Sequence, residues 1–239
     1  MRYALYFTPP ARHPLTMAAA RWLGRDAFSG KAIESPAVAG LTSDDIWHHT
    51  AAPRRYGFHA TIKAPFQLAA DRSESELLAD LMQFCGRLEP FAVPLAINRI
   101  GPFFALTPEV PSPALQDLAD AVVRRFEPYR AALSEADLER RSSGSLTCRQ
   151  LEYLQRWGYP FVFDMFRFHM TLTGPIAKEE APQVEQALAA YFEPLLGEPL
   201  DVASLALFIE PESGAPFIVD SLHPMGRVDG RKGLGARAK

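Results

Sequence analysis

Apolar and polar positions alternate along some stretches of the chain and recur at helical spacing along others, so both strands and helices are expected. Residues 3–7 alternate and are rich in aromatics, a strand signal that ends at Pro9-Pro10. A helix is expected from Pro14 to Leu23, with Gly24 near its C-terminus. Residues 26–55 have no clear period, and their Ser, Pro, Gly and His content predicts an irregular insertion. A strand follows over 57–63, closed by Pro65. Ser73-Glu-Ser-Glu then opens a helix whose apolar residues Leu77, Leu78, Leu81, Met82 and Cys85 recur at helical spacing.

Residues 91–97 and 103–106 predict two strands around Gly101-Pro102, and 112–134 and 145–157 predict helices. The charged stretch 135–141 predicts an exposed helical face. The second half then echoes the first: a strand over 166–173 ending at Gly174-Pro175, a helix through Val184, Leu188 and Tyr191, and strands near 200–209 and 216–222. This order implies an α+β fold with mostly antiparallel sheets. Residues 1–226 are expected to form a single domain, and the Gly-, Arg- and Lys-rich segment 227–239 a disordered basic tail. Neither a GxGxxG after a strand nor a Walker A motif is present.

Composition narrows the function classes. A formal net charge of −3 argues against an extended nucleic-acid track, leaving room for a small phosphorylated substrate or a short RNA end. Cys85 and Cys148 cannot form a disulfide framework and are not spaced for zinc or redox motifs, which predicts reduced thiols and a cytoplasmic location. No apolar run is long enough to cross a bilayer, and the N-terminal segment reads as a strand rather than a signal peptide.

The informative feature is an internal repeat. Residues 56–66, YGFHATIKAPF, align without gaps on residues 166–176, FRFHMTLTGPI. On a strand, side chains two apart share a face. Phe58, Ala60 and Ile62, and likewise Phe168, Met170 and Leu172, are expected in a core. His59, Thr61 and Lys63 would share the opposite face of the first copy, and Arg167, His169, Thr171 and Thr173 that of the second. Each strand would thus present an imidazole, a hydroxyl and a cation.

Those residue types suit phosphodiester hydrolysis. The reaction needs a base for the attacking water and an acid for the leaving oxygen, and imidazole, with a reference pKa of about 6.5, serves either role. Thr hydroxyls donate to non-bridging phosphate oxygens. The expected catalytic residues are therefore His59 and His169. Thr61, Thr171, Lys63, Arg167 and Thr173 are expected to bind phosphate, with Arg55 a further cation if the strand extends that far back. The scheme needs no metal and no cofactor.

The two His-x-Thr-aliphatic motifs resemble those of the two-histidine (2H) phosphoesterase superfamily. The resemblance implies a bilobal fold of duplicated α/β halves around a central cleft, with the motif at 59–61 in one half and that at 169–171 in the other. The wording RYALYFTPP, YGFHATIKAPF and FRFHMTLTGPI further resembles a bacterial branch linked to phosphonate metabolism and often encoded beside carbon–phosphorus lyase genes. That context implies a cyclic sugar phosphate, 5-phosphoribosyl 1,2-cyclic phosphate, as substrate. The alternatives are an RNA-end 2′,3′-cyclic phosphodiesterase or 2′,5′-ligase-like enzyme, and a phosphate-binding module without turnover. His48-His49 lack a completing ligand set and are expected in a loop. His13 and His223 are expected at the surface or in packing, and Arg54-Arg55 as a solvated pair; Tyr3 or Tyr6 could line the cleft from the first strand, but a Tyr there is expected in the core.

Overall fold

The computed structural model of the protein describes residues 1–226 apart from 39 and 143. The basic tail expected at 227–239 lies outside the described residues. Strand β1 (Arg2–Phe7) leads into helix α1 (Pro14–Leu23). Pro14 suits the first helical turn, the His13 ring accepts the Leu15 N–H at 3.2 Å, and Gly24 closes the helix in the left-handed conformation at φ 76°.

The segment expected to be irregular instead carries helices α2 (Ser43–His49) and α3 (Ala51–Arg54). A Thr42–Asp45 capping box starts α2, and only Ile46 of that helix is buried. One buried residue in two turns leaves no period to read, which is why the sequence pattern missed it. His48 and His49 accordingly lie on a helix rather than in a loop.

Strand β2 (Ala60–Phe66) begins three residues later than expected and runs through Pro65. Helix α4 (Glu74–Cys85) has the expected Ser73 cap, but Met82 is exposed while Leu77, Leu81 and Cys85 are buried. Pro94 divides the next expected strand into β3 (Phe91–Val93) and β4 (Leu95–Ile100), and β4 turns into β5 (Phe103–Pro108). Helices α5 (Pro113–Arg125), α6 (Glu135–Ser142) and α7 (Cys148–Trp157) follow. Strand β6 is only Met170–Thr171, much shorter than expected, because the Leu172 and Thr173 N–H groups both turn to the Phe104 carbonyl. Helix α8 (Ala181–Phe192) and strands β7 (Leu200–Val202), β8 (Ser204–Glu210) and β9 (Ile218–Pro224) complete the described chain.

The fold is α+β, and every strand pairing among the described residues is antiparallel. Seven strands form one sheet in the order β4-β5-β6-β2-β1-β8-β9, and β3 pairs with β7 apart from it. The repeat therefore does not divide the sheet into two contiguous halves of the chain. β6, from the second half, lies between β5 and β2, while β8 pairs with β1.

The sheet is buried on both faces at its centre. Tyr3, Leu5 and Phe7 share an apolar cluster with Phe58, Ala60, Ile62, Phe168, Met170 and Leu172, together with residues of α1, α4, α5 and α8. All six core residues expected from the repeat are in it. The alternate residues Ala4 and Tyr6 join Ala206, Phe208 and Phe217 in a second cluster. Among the described residues, no helix is long and apolar enough to cross a membrane.

Candidate active site

The two motifs meet at the junction of β2 and β6. Their single register pair is Ala60 opposite Met170, which are equivalent residues of the aligned repeat. An antiparallel pair centred on equivalent residues has local twofold symmetry. One step to either side, that register sets His59 across from Thr171 and Thr61 across from His169.

Each imidazole is held by the same device. His59 Nδ1–H donates to the Gly57 carbonyl at 2.9 Å, and His169 Nδ1–H donates to the Arg167 carbonyl at 2.8 Å. A carbonyl only accepts, so this bond places the proton on Nδ1 and leaves Nε2 of the neutral ring with a lone pair. At His59 that lone pair accepts from the Thr61 hydroxyl at 3.3 Å. Gly57 makes the tight entry possible. Its φ is +77°, and an added Cβ would lie 2.5 Å from Ala27 Cβ.

The surroundings break the symmetry. The His59 ring stacks on Tyr6 at 3.9 Å between centroids and 21° between planes, with Tyr56 and Phe208 farther off. Burial pushes the His59 pKa down to about 4; the Gly57 carbonyl opposes this and the charge on His169 adds to it. His169 has Phe103 as its ring neighbour, at 5.9 Å. Its pKa is also lowered, by burial first, with the Arg167 carbonyl opposing and the Arg167 charge reinforcing.

Two adjoining cavities open on the pair. One, of about 480 Å³, is lined by His59, Thr61, Thr171, Tyr6, Tyr159 and three arginines, Arg2, Arg55 and Arg141. The other, of about 590 Å³, is lined by His169 and Arg167 with Ile100, Phe103, Phe161, Met165 and Phe166. Thr61 and Tyr159 belong to both walls. One chamber is thus cationic and the other largely apolar.

Two expected phosphate binders do not join them. Lys63 is 4% exposed, and its Nζ pairs with Glu127 Oε2 at 2.8 Å. The cause is a β-bulge: Tyr6 lies opposite Thr61, but Leu5 lies opposite Lys63, so one extra residue turns Lys63 to the helix-covered face. Burial lowers the Lys63 pKa, with Glu127 opposing. Thr173 is fully buried, and its Oγ1 accepts the Phe104 N–H at 3.0 Å. Conversely, Arg55 is only partly exposed and lies in the His59 chamber, paired with buried Glu210.

Arg2, Arg141, Tyr159 and Glu210 come to the site without any sequence signal. Tyr6 was legible as a buried strand residue, but its stacking partner depends on which strand pairs with β1. The insertion also serves the site. The Gly174 N–H, just past the second motif, donates to the His49 carbonyl at 2.7 Å. Among the described residues, no group of three or more His, Cys, Asp or Glu side chains is arranged to hold a metal ion.

Residues 61–218 match a family model described as "Protein of unknown function (DUF1045)". The chain belongs to the DUF1045 family. The match includes Thr61, His169 and Thr171 and begins two residues after His59. Two curated relatives carry the name ribose 1,5-bisphosphate phosphokinase PhnN. That of Janthinobacterium sp. (strain Marseille) is 37% identical over 224 residues, covering 91% of this chain and 49% of the relative. That of Laribacter hongkongensis (strain HLHK9) is 36% identical over 217 residues, covering 91% and 50%. This DUF1045 chain therefore spans about half the length of the curated relatives it matches. Among solved structures it shows a distant likeness to a phosphoesterase, with 12% identity, TM-score 0.40 and coverage of 94% of this chain and 98% of the other. The Escherichia coli LigT complex with 3′-AMP is similarly distant, with 12% identity, TM-score 0.41 and the same coverage.

Proposed function

We propose that the protein is a phosphoesterase that opens a cyclic phosphodiester with His59 as general base and His169 as general acid, without a metal. The observation that carries this reading is the matched pair of imidazoles, each fixed through Nδ1 on the carbonyl two residues back. Such pinning leaves Nε2 as the reactive nitrogen of both rings. His59, the ring held down to about 4, is neutral at neutral pH and suits the base.

In the proposed step, His59 Nε2 takes a proton from water as its oxygen bonds to phosphorus. The phosphorus–oxygen bond to the leaving alkoxide breaks, and His169 Nε2–H protonates that oxygen. Thr61 and Thr171 donate to non-bridging oxygens. Water entering between His59 Nε2 and phosphorus displaces the Thr61 hydrogen bond and frees that hydroxyl for phosphate.

The specific substrate candidate is 5-phosphoribosyl 1,2-cyclic phosphate. The curated relatives are named for a ribose phosphorylated at positions 1 and 5, and this ester carries phosphate at the same two positions. A second reading, an RNA-end 2′,3′-cyclic phosphodiesterase, is favoured by the aromatic wall of Phe103, Phe161 and Tyr159 beside His169, on which a base would stack.

The deciding experiment incubates purified protein with a panel of cyclic phosphates in the presence of chelator and follows products by phosphorus NMR. Turnover should occur with chelator present and fall about 10²-fold or more in His59→Ala and in His169→Ala. Turnover of nucleoside 2′,3′-cyclic phosphates in preference to the sugar ester would favour the second reading. Failure to hydrolyse any member, with phosphate ligands still bound, would leave a binding module.

A further inference from the structure

Among the described residues, only Thr61 and Tyr159 line both chambers. Their overlap marks where the chambers join, with His59 and Thr171 on one side and His169 on the other. A phosphorus attacked from the His59 side and left from the His169 side lies at this junction. Thr61 reaches it from β2, and Tyr159 from the segment that follows α7.

The Tyr159 ring is held in place. α7 ends at Gly158, which lies directly against the Arg130 side chain. Arg130 is itself fixed, donating through Nε and Nη2 to Glu127 Oε1 at 2.9 and 2.6 Å. Tyr159 packs on the cluster of Val123, Val162 and Phe163, and its ring meets Phe161 edge-on at 5.6 Å between centroids.

The hydroxyl of this ring stands apart from most others in the chain. The hydroxyls of Tyr3, Tyr129, Tyr153 and Tyr191 donate to protein acceptors, and that of Tyr6 is taken up by Thr61. Tyr56 and Tyr159 have no hydrogen-bond partner among the described residues. Tyr56 stacks on Phe217 and lines the His59 chamber alone. Tyr159 is partly buried, where a phenol normally finds a partner. Its O–H is a donor open to whatever occupies the junction. Burial holds this phenol above its ordinary value, with Arg141 opposing and Tyr56 reinforcing. The group therefore keeps its proton and serves as a donor, not as a base.

The proposed reaction has use for such a donor. As water bonds to phosphorus and its proton passes to His59, the monoanionic diester becomes a phosphorane with a second negative charge. That charge grows on the two non-bridging oxygens, each of which accepts more than one hydrogen bond. Thr61 and Thr171 have one O–H apiece. A phenol O–H is more acidic than theirs and donates more strongly to growing charge.

We infer that Tyr159 is a further catalytic residue, whose hydroxyl donates to a non-bridging oxygen of the scissile phosphate. This role rests on the phosphoesterase reading. It belongs to the hydroxyl, in contrast to the stacking that the RNA-end reading asks of the ring.

The first test is kinetic, with chelator present and the cyclic ester that wild type turns over fastest. Tyr159→Phe keeps the ring and removes only the hydroxyl. It should lower kcat by about 10²-fold, the cost of removing one donor to developing charge, with KM within about three-fold. Normal kcat in Tyr159→Phe with a loss only in Tyr159→Leu would assign the function to the ring and overturn the inference.

The two phosphorothioate diastereomers of that ester separate contact from structure. Sulfur is a weak acceptor, so one diastereomer already lacks a full Tyr159 bond. With that diastereomer Tyr159→Phe should cost less than about three-fold, against about 10²-fold with the other. Equal losses with both would overturn the inference and leave the phosphoesterase reading intact, since His59→Ala would still be impaired.

If wild type turns over no cyclic ester, the phosphoesterase reading falls and Tyr159 is judged by binding. Calorimetric titration with inorganic phosphate should then show about 10-fold weaker binding in Tyr159→Phe. Unchanged binding in that variant, or none to wild type, would overturn the contact as well.

Discussion

His59 and His169 occupy aligned positions of the repeat and make the same carbonyl bond, yet have different rings around them, and that difference has a measurable consequence. With His59 as base and His169 as acid, the productive form has the first neutral and the second protonated. As pH falls through about 4, His59 takes up its proton and the base is lost. As pH rises through the lowered His169 value, the acid is lost. The expected kcat/KM profile is therefore a bell whose alkaline limb lies below the ordinary imidazole value of about 6.5, read from initial rates across pH 3.5–8. A plateau extending to pH 8 would reject these roles. Stability follows the same ring. Above pH 6.5 His59 is neutral in both states and contributes no pH dependence. Between 6.5 and about 4 the unfolded chain binds the extra proton, so stability falls as pH is lowered. Lys63 illustrates the opposite outcome, a motif residue turned to structural use. Removing its partner in Glu127→Ala leaves a buried, uncompensated ammonium and should cost about 3 kcal/mol, seen as a lower denaturant midpoint. Lys63→Met removes the buried charge itself and should keep kcat/KM within a few-fold.

At the scale of elements, the motif is less a strand than the entrance to one. β2 starts at Ala60, so His59 sits on the turn that feeds it, and Gly57 shapes that turn. Gly57→Ala forces a side chain into the left-handed region and against Ala27. The expected loss is about 2 kcal/mol or more in stability, together with a fall in kcat as the carbonyl that pins His59 moves. Normal kcat at full stability would show that the turn does not set the imidazole. Pro65 is tolerated at the other end of β2 because β6 pairs only at Ala60, leaving that edge without a partner strand that needs its N–H. α1, α4, α8 and the β4–β5 turn were readable because caps and apolar spacing act locally. α2 and the shortness of β6 were not, since the first buries one residue and the second is decided by the Phe104 carbonyl.

Across the whole molecule, the sheet order interleaves the two halves of the chain. β6 lies between β5 and β2, and Trp22 of α1 donates its indole N–H to the Leu172 carbonyl at 2.9 Å, 150 residues away. Neither half can complete its own core. Fragments 1–110 and 111–226 should each lack a cooperative thermal transition when expressed alone, and should regain one on co-expression. An independently folding half, seen by calorimetry, would mean that the repeat is modular after all. The same interleaving places arginines from residues 2, 55 and 141 in one cavity with His59.

By itself the sequence determined the α+β class, the six apolar positions of the repeat and the alignment of one His-x-Thr motif on the other. These depend on alternation and on a motif short enough to compare with its own copy. Only the tertiary structure decided which polar residues line the cavities beside those motifs. A bulge one residue long turned Lys63 to the other face, the Phe104 N–H claimed Thr173, and a buried Glu210 gathered Arg2 and Arg55. Alternation is a local rule that a single inserted residue reverses, and charge pairing across more than a hundred residues follows strand order, which no local pattern records.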